Sequence, residues 1–303
     1  MTEAEFLALL RPLATHPAAR GLADDTAVIG DLVLTHDMLV EGVHFLPDDP
    51  PEDVAWKLVA VNLSDLAAKG AVPAGVLLGY PLGDDDWDAA FVRGLGKALT
   101  AFDVPLLGGD TVEGPRVLSL TAIGRSAIAP SRSGALAGDG LWVTGTIGLA
   151  GLGLATLRAP VEVGAQSPGA ILDTPRLPPS GEHSDAVIAY RRPTPRLAEG
   201  QALAPLVHAM MDVSDGLLID AQRMADASGL AVIIDLDRVP VAGERMAAVT
   251  AGDDYELLFA APADFDPPVP ATHIGGFADG CGLTLHDAKG PAPLPARLGW
   301  QHG

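Results

Sequence analysis

The sequence predicts an α/β protein of two domains. Three observations lead to this fold class. The chain has 303 residues, which is more than one domain usually holds. Apolar runs typical of buried strands alternate with stretches of helical periodicity. Turns rich in glycine and proline separate these stretches, since the chain contains 35 Gly and 26 Pro. Aromatic residues make up only 5%, so we expect aliphatic side chains to form the core.

Strand-like and helical segments follow one another through the first half of the chain. A short helix is predicted at 3–10, and a buried strand at 31–39, where an apolar run ends in polar residues. Residues 50–71 begin with proline and acids, keep apolar residues at helical spacing and stop at Gly70, which predicts a helix. The remaining elements are strands at 74–80, 104–110 and 116–124 and a helix at 85–102. We place the end of the first domain at residue 136.

The second predicted domain, residues 137–303, begins with a strand that enters a glycine turn at 138–148. Residues 159–196 are rich in Pro, Gly and polar residues and lack periodicity, which predicts a long, partly mobile surface loop. After it we expect a helix from about 197, a strand and turn at 210–216, a helix ending at 228, and strands at 231–235 and 254–261. A less regular tail is expected to follow.

Charge and cysteine content limit the partners and the location of the protein. The net charge of −20 repels nucleic acid and anionic membrane surfaces, so we expect neither as a partner. The single cysteine, Cys281, rules out a disulfide framework within the chain and fits a reducing, cytoplasmic location. The N-terminus lacks the basic segment and apolar core of a signal peptide. Residues 140–157 are uncharged, but Gly and Thr interrupt them, which predicts a strand, a turn and a helix start.

Aspartates recur at predicted strand ends and turns, each flanked by apolar residues. Burying a carboxylate without a partner costs several kcal/mol, by the order of magnitude for ions that leave water. Basic partners are scarce, with 19 Lys and Arg against 39 Asp and Glu. Divalent cations, Mg²⁺ above all, would offset the charge, because hard ions take oxygen ligands. The aspartates that recur in this way are Asp24, Asp25, Asp37, Asp65, Asp110, Asp212 and Asp215.

Each acid has an ordinary explanation when it is taken alone. Asp215 before Gly216 could cap a helix, Asp65 could face solvent from its predicted helix, and Asp24 with Asp25 could form a simple turn. The recurrence of one arrangement, an apolar strand followed by an acid and a small residue, favours a shared functional site.

The common nucleotide-binding loops are absent from the sequence. Neither G-x-x-x-x-G-K-[ST] nor G-x-G-x-x-G occurs, so a bound nucleotide would have to be held through metals, glycine-rich backbone and arginine. Arg132 could be a solvated arginine or a fork for phosphate oxygens. His44 could be structural or catalytic. Zinc is not expected, because no second His stands at the required spacing and one Cys cannot build a thiolate site.

Taken in order, several stretches resemble the thiamine-monophosphate kinase family. They are "ADDTAV" (23–28), "THDMLVEGVHF" (35–45), "AVNLSDLAAKGAVPAG" (60–75), "LLGGDT" (106–111), "SRSGALAGD" (131–139), "VTGTIG" (143–148), "RPTPRLAEG" (192–200), "MDVSDGL" (211–217) and "AGDDYELLF" (251–259). The resemblance implies the two-domain fold of aminoimidazole-ribonucleotide synthetase, in which the N-terminal mixed sheets of two subunits pair as the core of a homodimer. It also implies transfer of the γ-phosphoryl group of ATP to thiamine monophosphate between the domains, with several Mg²⁺ ions.

The resemblance further implies roles for individual residues. The implied metal ligands are Asp25, Thr35, Asp37, Asp65, Asp110, Asp212 and Asp215. The implied ATP contacts are Gly109, Asp110, Arg132 and Ser214, and the implied substrate contacts are His44, Asp253 and Trp300. No catalytic base is assigned, because the acceptor is itself a phosphate monoester and is largely a dianion at neutral pH. Trp300 could stack on the cationic thiazolium, and Asp253 could attract the same charge.

Some positions depart from the family pattern. His36 stands where a hydroxyl residue is expected, so only a backbone ligand is expected there. Asp253 replaces the usual Glu and has a shorter reach. Lys69 replaces a common Met, which we expect to have no catalytic consequence. Three other functions stay open on the sequence: a synthetase of the same fold with another acceptor, an Asp-rich phosphohydrolase that needs no ATP, and a cation-binding protein without nucleotide turnover.

Overall fold

Two separate β-sheets, one in each half of the chain, form the framework of the protein. The structure is a computed structural model that describes residues 1–159 and 184–301. The strands of the first half are β1 (Ala27–Ile29), β2 (Leu32–Val40), β3 (Val72–Leu82), β4 (Leu106–Glu113) and β5 (Val117–Arg125). The helices of this half are α1 (Glu3–Leu10), α2 (Pro51–Ala67) and α3 (Asp85–Ala101), with short 3₁₀ helices at Arg11–Leu13 and Pro17–Leu22.

The first sheet is mixed, as predicted. Its strand order is β1-β2-β5-β3-β4, in which β3 and β4 are parallel and the other neighbours are antiparallel. Helix α2 covers one face of this sheet and is buried over almost its whole length. It begins at Pro51 with Glu52 and Asp53 in its first turn, where acids favour a helix start. The site is therefore built around a helix that touches solvent at few positions.

The second half folds around a larger sheet. Its strands are β6 (Gly140–Thr144), β7 (Ala209–Asp212), β8 (Leu230–Asp235), β9 (Leu257–Ala261), β10 (Ala271–Asp279), β11 (Gly282–Asp287) and β12 (Gly290–Ala292). Its helices are α4 (Leu149–Arg158), α5 (Asp185–Arg191), α6 (Leu197–Leu203), α7 (Leu217–Ser228) and α8 (Arg245–Thr250). The strand order is β12-β11-β8-β10-β6-β9-β7, so the two-sheet α/β class is confirmed.

The two halves meet at the C-terminal end of α2. Ala67 and Ala68 pack in one buried cluster with side chains of α6, β7 and β9. Small residues are required here, since a Cβ on Gly200 would lie 1.9 Å from the carbonyl oxygen of Ala67. This contact brings the last turn of α2 beside the end of β7, where Asp212 lies.

Two predictions for the second half need correction. The predicted loop 159–196 contains helix α5, whose first turn is capped by the Ser184 hydroxyl accepting from the Val187 N–H. Residues 160–183 of that predicted loop lie outside the described residues. The tail is more regular than expected, because β10, β11 and β12 complete the second sheet. Residues 140–157 form β6 and most of α4, as predicted, and no helix among the described residues is long and apolar enough to cross a bilayer.

Candidate active site

Five aspartates from four segments converge where the two halves meet; we call them the acid cluster. Asp24 and Asp25 precede β1, Asp37 lies on β2, Asp65 on the last turn of α2, and Asp212 at the end of β7. Carboxylate oxygens of Asp25, Asp65 and Asp212 lie within 4.8 Å of one another. Asn62 joins α2 to β2 beside them, because its side-chain oxygen accepts the Asp37 N–H at 3.0 Å.

One side of the acid cluster, which we call the paired end, consists of Asp24 and Asp25 with Lys69 and Arg132. The Lys69 ammonium lies 2.6 Å from Asp24 Oδ1 and 2.9 Å from Asp25 Oδ2. Arg132 donates to the other carboxylate oxygen of Asp25. Burial by itself raises the pKa of Asp25, but the charges of Lys69 and Arg132 outweigh it and hold that pKa well below its usual range. Asp25 is therefore ionised and neutralised by the chain itself.

The other side, which we call the hydroxyl end, consists of Asp37, Asp65 and Asp212 with two hydroxyl donors. Thr35 donates to Asp65, and Ser64 donates to Asp212 Oδ2 at 2.5 Å. Within residues 1–159 and 184–301, no lysine or arginine forms an ion pair with these three acids. The hydroxyl end therefore lacks the counter-charges that the paired end has.

Burial changes the protonation of the hydroxyl end in the opposite direction. Burial, followed by the charges of Asp25 and Asp215, raises the pKa of Asp37 to about 6. Burial and the charge of Asp25 raise the pKa of Asp212 to about 8, although the Ser64 hydrogen bond opposes this. Burial, followed by the charge of Asp37, also raises the pKa of Asp65 well above its usual value. In the absence of a cation, Asp212 therefore holds a proton at neutral pH, whereas Asp37 is mostly ionised there; the pKa of Asp65 is shifted in the same direction.

Asp215 belongs to a turn beside the cluster and does not cap α7. Residue Gly216 occupies the N-cap position, and no side chain caps it. The Asp215 carboxylate pairs with Arg223, which lies 2.9 Å from Asp220 as well. Buried Asp220 fixes the turn, since its Oδ2 accepts the backbone N–H groups of residues 214, 215 and 216 at 3.0–3.2 Å. The helix-cap explanation for Asp215 is therefore wrong.

The predicted substrate residues lie on loops that contact this turn. Gly252 packs so closely that a Cβ there would lie 2.5 Å from the Ser214 carbonyl oxygen, and Asp253 donates its N–H to that same oxygen at 2.8 Å. The backbone N–H of Trp300 donates to the Asp215 carbonyl oxygen at 2.8 Å, and 51% of this residue is exposed. Ser214, Asp253 and Trp300 thus lie on three adjoining segments.

A buried lysine connects Asp253 to His44. Lys57 on α2 lies 2.8 Å from Asp253 Oδ2 and donates to the His44 carbonyl oxygen at 3.0 Å. Its ammonium also lies 4.0 Å from the centre of the Tyr190 ring. Asp253 has a left-handed backbone, with φ of 67°, a conformation that is uncommon outside glycine although Asp tolerates it better than most residues. The shorter Asp253 is therefore held in place by the chain.

The structure does not bring Gly109 and Asp110 to the acid cluster of their own chain. Both lie on β4, an edge strand whose eight residues are all exposed. Across the sheet, Asp110 on β4 lies in one row with Gly79 on β3, Ser119 on β5 and Met38 on β2. Residues in one row lie on the same face of a sheet, and Met38 and its neighbour Asp37 lie on opposite faces. Asp110 is therefore on the opposite face from Asp37. Three strand spacings, roughly 14 Å, separate β4 from β2. His36 lies on this same open face, where Nδ1 is 2.8 Å from the Thr121 hydroxyl oxygen.

Several residues of the site were missed in the sequence. Lys57, Ser64, Asp220, Arg223 and Tyr255 all contact predicted site residues. Lys57 carried a signal: it stands between apolar residues of a helix with few exposed positions, where an unpaired charge would be costly. The others depend on contacts across the fold.

The residues present fit Mg²⁺. The nearest ligand atoms are carboxylate and hydroxyl oxygens, which hard divalent cations prefer, and three of the carboxylates can reach one point. A cation there would also lower the pKa values that burial raises at the hydroxyl end, because a nearby positive charge favours the ionised carboxylate. Arg132 contributes a buried Nε that has no partner among the described residues and could donate to a phosphate oxygen.

Comparisons with known proteins give matches in both halves of the chain. Models described as "AIR synthase related protein", N-terminal and C-terminal domain, match residues 23–126 and 137–280. The thiamine-monophosphate kinase of Caulobacter vibrioides is 38% identical over 100% of this chain and 91% of that protein. That of Salmonella typhimurium is 38% identical over 80% of this chain and 76% of its own length. The solved structure "AaThiL complexed with AMPPCP and TMP" superimposes with a TM-score of 0.85 at 28% identity, covering 100% of this chain and 97% of that one.

Proposed function

The chain belongs to the thiamine-monophosphate kinase family of AIR synthase related proteins, and we propose that it transfers the γ-phosphoryl group of ATP directly, in line, to thiamine monophosphate. The family makes it a kinase that uses ATP, because the similar structure holds AMPPCP, an ATP analogue, together with TMP. Membership in this family also favours a kinase over two of the functions left open by the sequence, the phosphohydrolase and the cation-binding protein. The direct course of transfer and the ligand set are the parts we propose.

The observation that carries this proposal is the hydroxyl end of the acid cluster. Two buried carboxyls, Asp65 and Asp212, and the partly buried Asp37 have no ion-pair partner among the described residues, and Asp65 and Asp212 lie within 4.8 Å of each other. Such an arrangement is costly unless cations neutralise it. The transfer joins two polyanions and depends mostly on positioning and charge neutralisation. The acids thus have the chemistry that this reaction requires.

We assign the binding of Mg²⁺ to Asp25, Asp37, Asp65 and Asp212, with Thr35 beside them. When bound, the ions supply the positive charge that two phosphate groups need in order to approach each other. Asp215 is a further candidate ligand, on the neighbouring turn. Gly109 and Asp110 remain predicted ATP contacts, with Arg132 and Ser214.

The chain's own residues position the reactants. The Arg132 Nε can donate to a phosphate oxygen of ATP, while its terminal nitrogen stays on Asp25. Asp253, fixed by Lys57 and the Tyr255 hydroxyl, would attract the thiazolium cation of the acceptor. Trp300 is half exposed beside the Asp215 turn and could stack on that cation. No residue has to remove a proton, since the acceptor is already largely a dianion.

We also propose a homodimer that forms through the open face and edge of the first sheet. Strand β4 is an exposed edge, and Leu106, Leu107 and Val112 on it are 47–56% exposed. Unpaired strand edges with exposed apolar residues favour association with another chain. Sedimentation of the protein should give a dimer, and Leu107→Asp should give a monomer. A wild-type monomer would contradict this proposal. For location, we propose the cytoplasm, which the free and exposed Cys281 fits.

One assay tests the proposed activity. The purified protein is incubated with ATP, MgCl₂ and thiamine monophosphate, and thiamine diphosphate and ADP are measured. We expect both products in equal amounts, and neither without Mg²⁺. Inorganic phosphate released from thiamine monophosphate without ATP would instead indicate a phosphohydrolase. ADP formed without thiamine diphosphate would indicate ATP hydrolysis or transfer to another acceptor.

A further inference from the structure

Lys69 is a buried cation inside the acid cluster, in the turn that follows α2. We propose that its ammonium is a permanent cation of the cluster, which occupies the space between Asp24 and Asp25 and lowers by one the number of divalent ions that the cluster takes up. The inference rests on the proposed magnesium site. It makes Lys69 a positioning residue that acts through the acids it contacts.

Lys69 has as many close oxygen partners as it has N–H groups. An ammonium has three N–H groups, and three acceptors surround this one: Asp24 Oδ1 at 2.6 Å, Asp25 Oδ2 at 2.9 Å and the Met210 carbonyl oxygen at 3.0 Å. The side chain is 0% exposed, so no water competes for these positions. Two carboxylates and a carbonyl are also an oxygen set that a hard metal ion would take. The Lys69 ammonium therefore occupies a position whose oxygen ligands would also suit a metal ion.

The charges around the paired end leave no deficit for a metal to offset there. Arg20 lies 2.6 Å from Asp24, and Arg132 donates to Asp25, so three cations face two acids. A divalent ion placed next to Lys69 would meet a fixed positive charge in a site that excludes water, where repulsion is only weakly screened. Ions are thus directed to the other side of Asp25, toward Asp65 and Asp212.

Lys69 also keeps the cluster assembled across the two halves of the chain. It joins the segment before β1 to the carbonyl of Met210 on β7, two residues before Asp212. A mobile divalent ion in the same position would leave when the substrates leave. A lysine does not, so Asp25 keeps its position between turnovers.

The test counts bound metal ions with Lys69→Met, which removes the charge and keeps a long side chain. Mn²⁺ bound per chain is measured by equilibrium dialysis, with a non-hydrolysable ATP analogue and thiamine monophosphate present. We expect the variant to bind one more Mn²⁺ than the wild type. Without metal, its melting temperature should fall by on the order of 10 °C, because a buried carboxylate pair loses a partner. Mn²⁺ should recover most of that loss.

Lys57→Met is the matched control, because Lys57 is also a buried lysine paired with an aspartate, outside the acid cluster. It should lower the melting temperature but leave the Mn²⁺ count unchanged, which separates a metal-replacing lysine from a merely structural one. If Lys69→Met does not fold, the Mn²⁺ count is measured for Asp24→Asn instead. We expect Asp24→Asn to keep the wild-type count, whereas the loss of one ion would mean that Asp24 holds a metal.

The outcomes separate this inference from the proposed function. Wild type that binds no Mn²⁺ and forms no thiamine diphosphate would overturn both. Wild type that binds Mn²⁺ and turns over, with an unchanged count in Lys69→Met, would overturn the role of Lys69 alone.

Discussion

The two ends of the acid cluster contain the same residue type at similar burial, yet their chemistry differs. At the paired end, Lys69 and Arg132 lower the pKa of Asp25 despite its burial. At the hydroxyl end, Thr35 and Ser64 offer hydroxyl groups only, and burial raises the pKa of Asp65 and Asp212. Burial alone therefore does not decide whether an acid is available to a metal. The charge of its nearest partner does.

This difference separates stability from function. Removing a partner at the paired end leaves a buried charge uncompensated and should destabilise the fold, by about 3–5 kcal/mol for a broken buried pair. Replacing a carboxyl of the hydroxyl end by a neutral amide breaks no ion pair in the metal-free protein and should spare the fold. Burying the acids of the hydroxyl end reduces the stability of the metal-free fold, and bound cations offset this loss. Functional sites in general often reduce stability in this way.

The largest expected effect is on turnover, from Asp65→Asn or Asp212→Asn. Each replaces a metal-accepting carboxylate by a neutral amide of the same shape. We expect the formation of thiamine diphosphate to fall by about 10²- to 10³-fold, the usual range for loss of one preorganised electrostatic contact. Circular dichroism and the metal-free melting temperature should stay at wild-type values or rise. Near-normal turnover in either variant would contradict the metal assignment.

The hydroxyl end should also affect how strongly ATP stabilises the folded protein. With Mg²⁺ present, ATP at 100 times its dissociation constant should stabilise the protein by about 2.7 kcal/mol, and without Mg²⁺ the effect should largely vanish. Differential scanning fluorimetry measures both. Asp212→Asn should lose the Mg²⁺-dependent part of the shift. An equal shift with EDTA would show that ATP binds without help from the acids.

The metal-free protein should lose stability as the pH rises from about 5 to 8. The acids of the hydroxyl end have folded-state pKa values above their unfolded values, so the folded state binds more protons in this window. Their contribution is fully present below pH 4 and is lost as the pH passes through about 6 for Asp37 and about 8 for Asp212. Each displaced pKa unit corresponds to about 1.4 kcal/mol.

Melting curves at pH 5.5 and pH 8, in EDTA and in Mg²⁺, check this dependence. Asp212→Asn should flatten the EDTA curve, while Mg²⁺ should flatten it for the wild type. A metal-free protein that becomes more stable toward pH 8 would mean that the hydroxyl end is already neutralised by another part of the chain.

The sequence predicted the acids better than their surroundings. Helix α2 could be predicted from Pro51, its first-turn acids and the stop at Gly70. The burial of Asp65 could not, because the helix is apolar on nearly all sides and gives no exposed face to compare with. The recurrence of acids after apolar strands did indicate convergence, which the structure shows for Asp25, Asp65 and Asp212.

What could not be predicted depends on contacts between distant residues. Lys69 meets Asp25 across 44 positions, and Ser64 meets Asp212 across 148. Strand β10 was missed because Gly275 and Gly276 in its middle weaken the local strand pattern, while pairing with β6 and β8 compensates. Helix α5 was missed since its seven residues adjoin a segment rich in proline and glycine. Tertiary contacts decide such short elements.

The smallest expected effect comes from Ser64→Ala, and it bears on how much the hydroxyl partners matter. The Ser64 hydroxyl donates to Asp212 and lowers its pKa, while burial and the charge of Asp25 raise it. Its loss should destabilise the protein by about 1 kcal/mol, the usual net value of one hydrogen bond. It should also weaken the apparent Mg²⁺ affinity a few-fold, since a proton then competes better for Asp212. Magnesium titrations of turnover measure this, with Thr100→Ala as a control, because the exposed Thr100 hydroxyl donates to the Gly96 carbonyl oxygen within α3, away from the acid cluster. If Ser64→Ala matched Asp212→Asn in its loss of turnover, the hydroxyl would be a direct participant in the site, and the contrast between the two ends would then lie in the hydroxyls themselves.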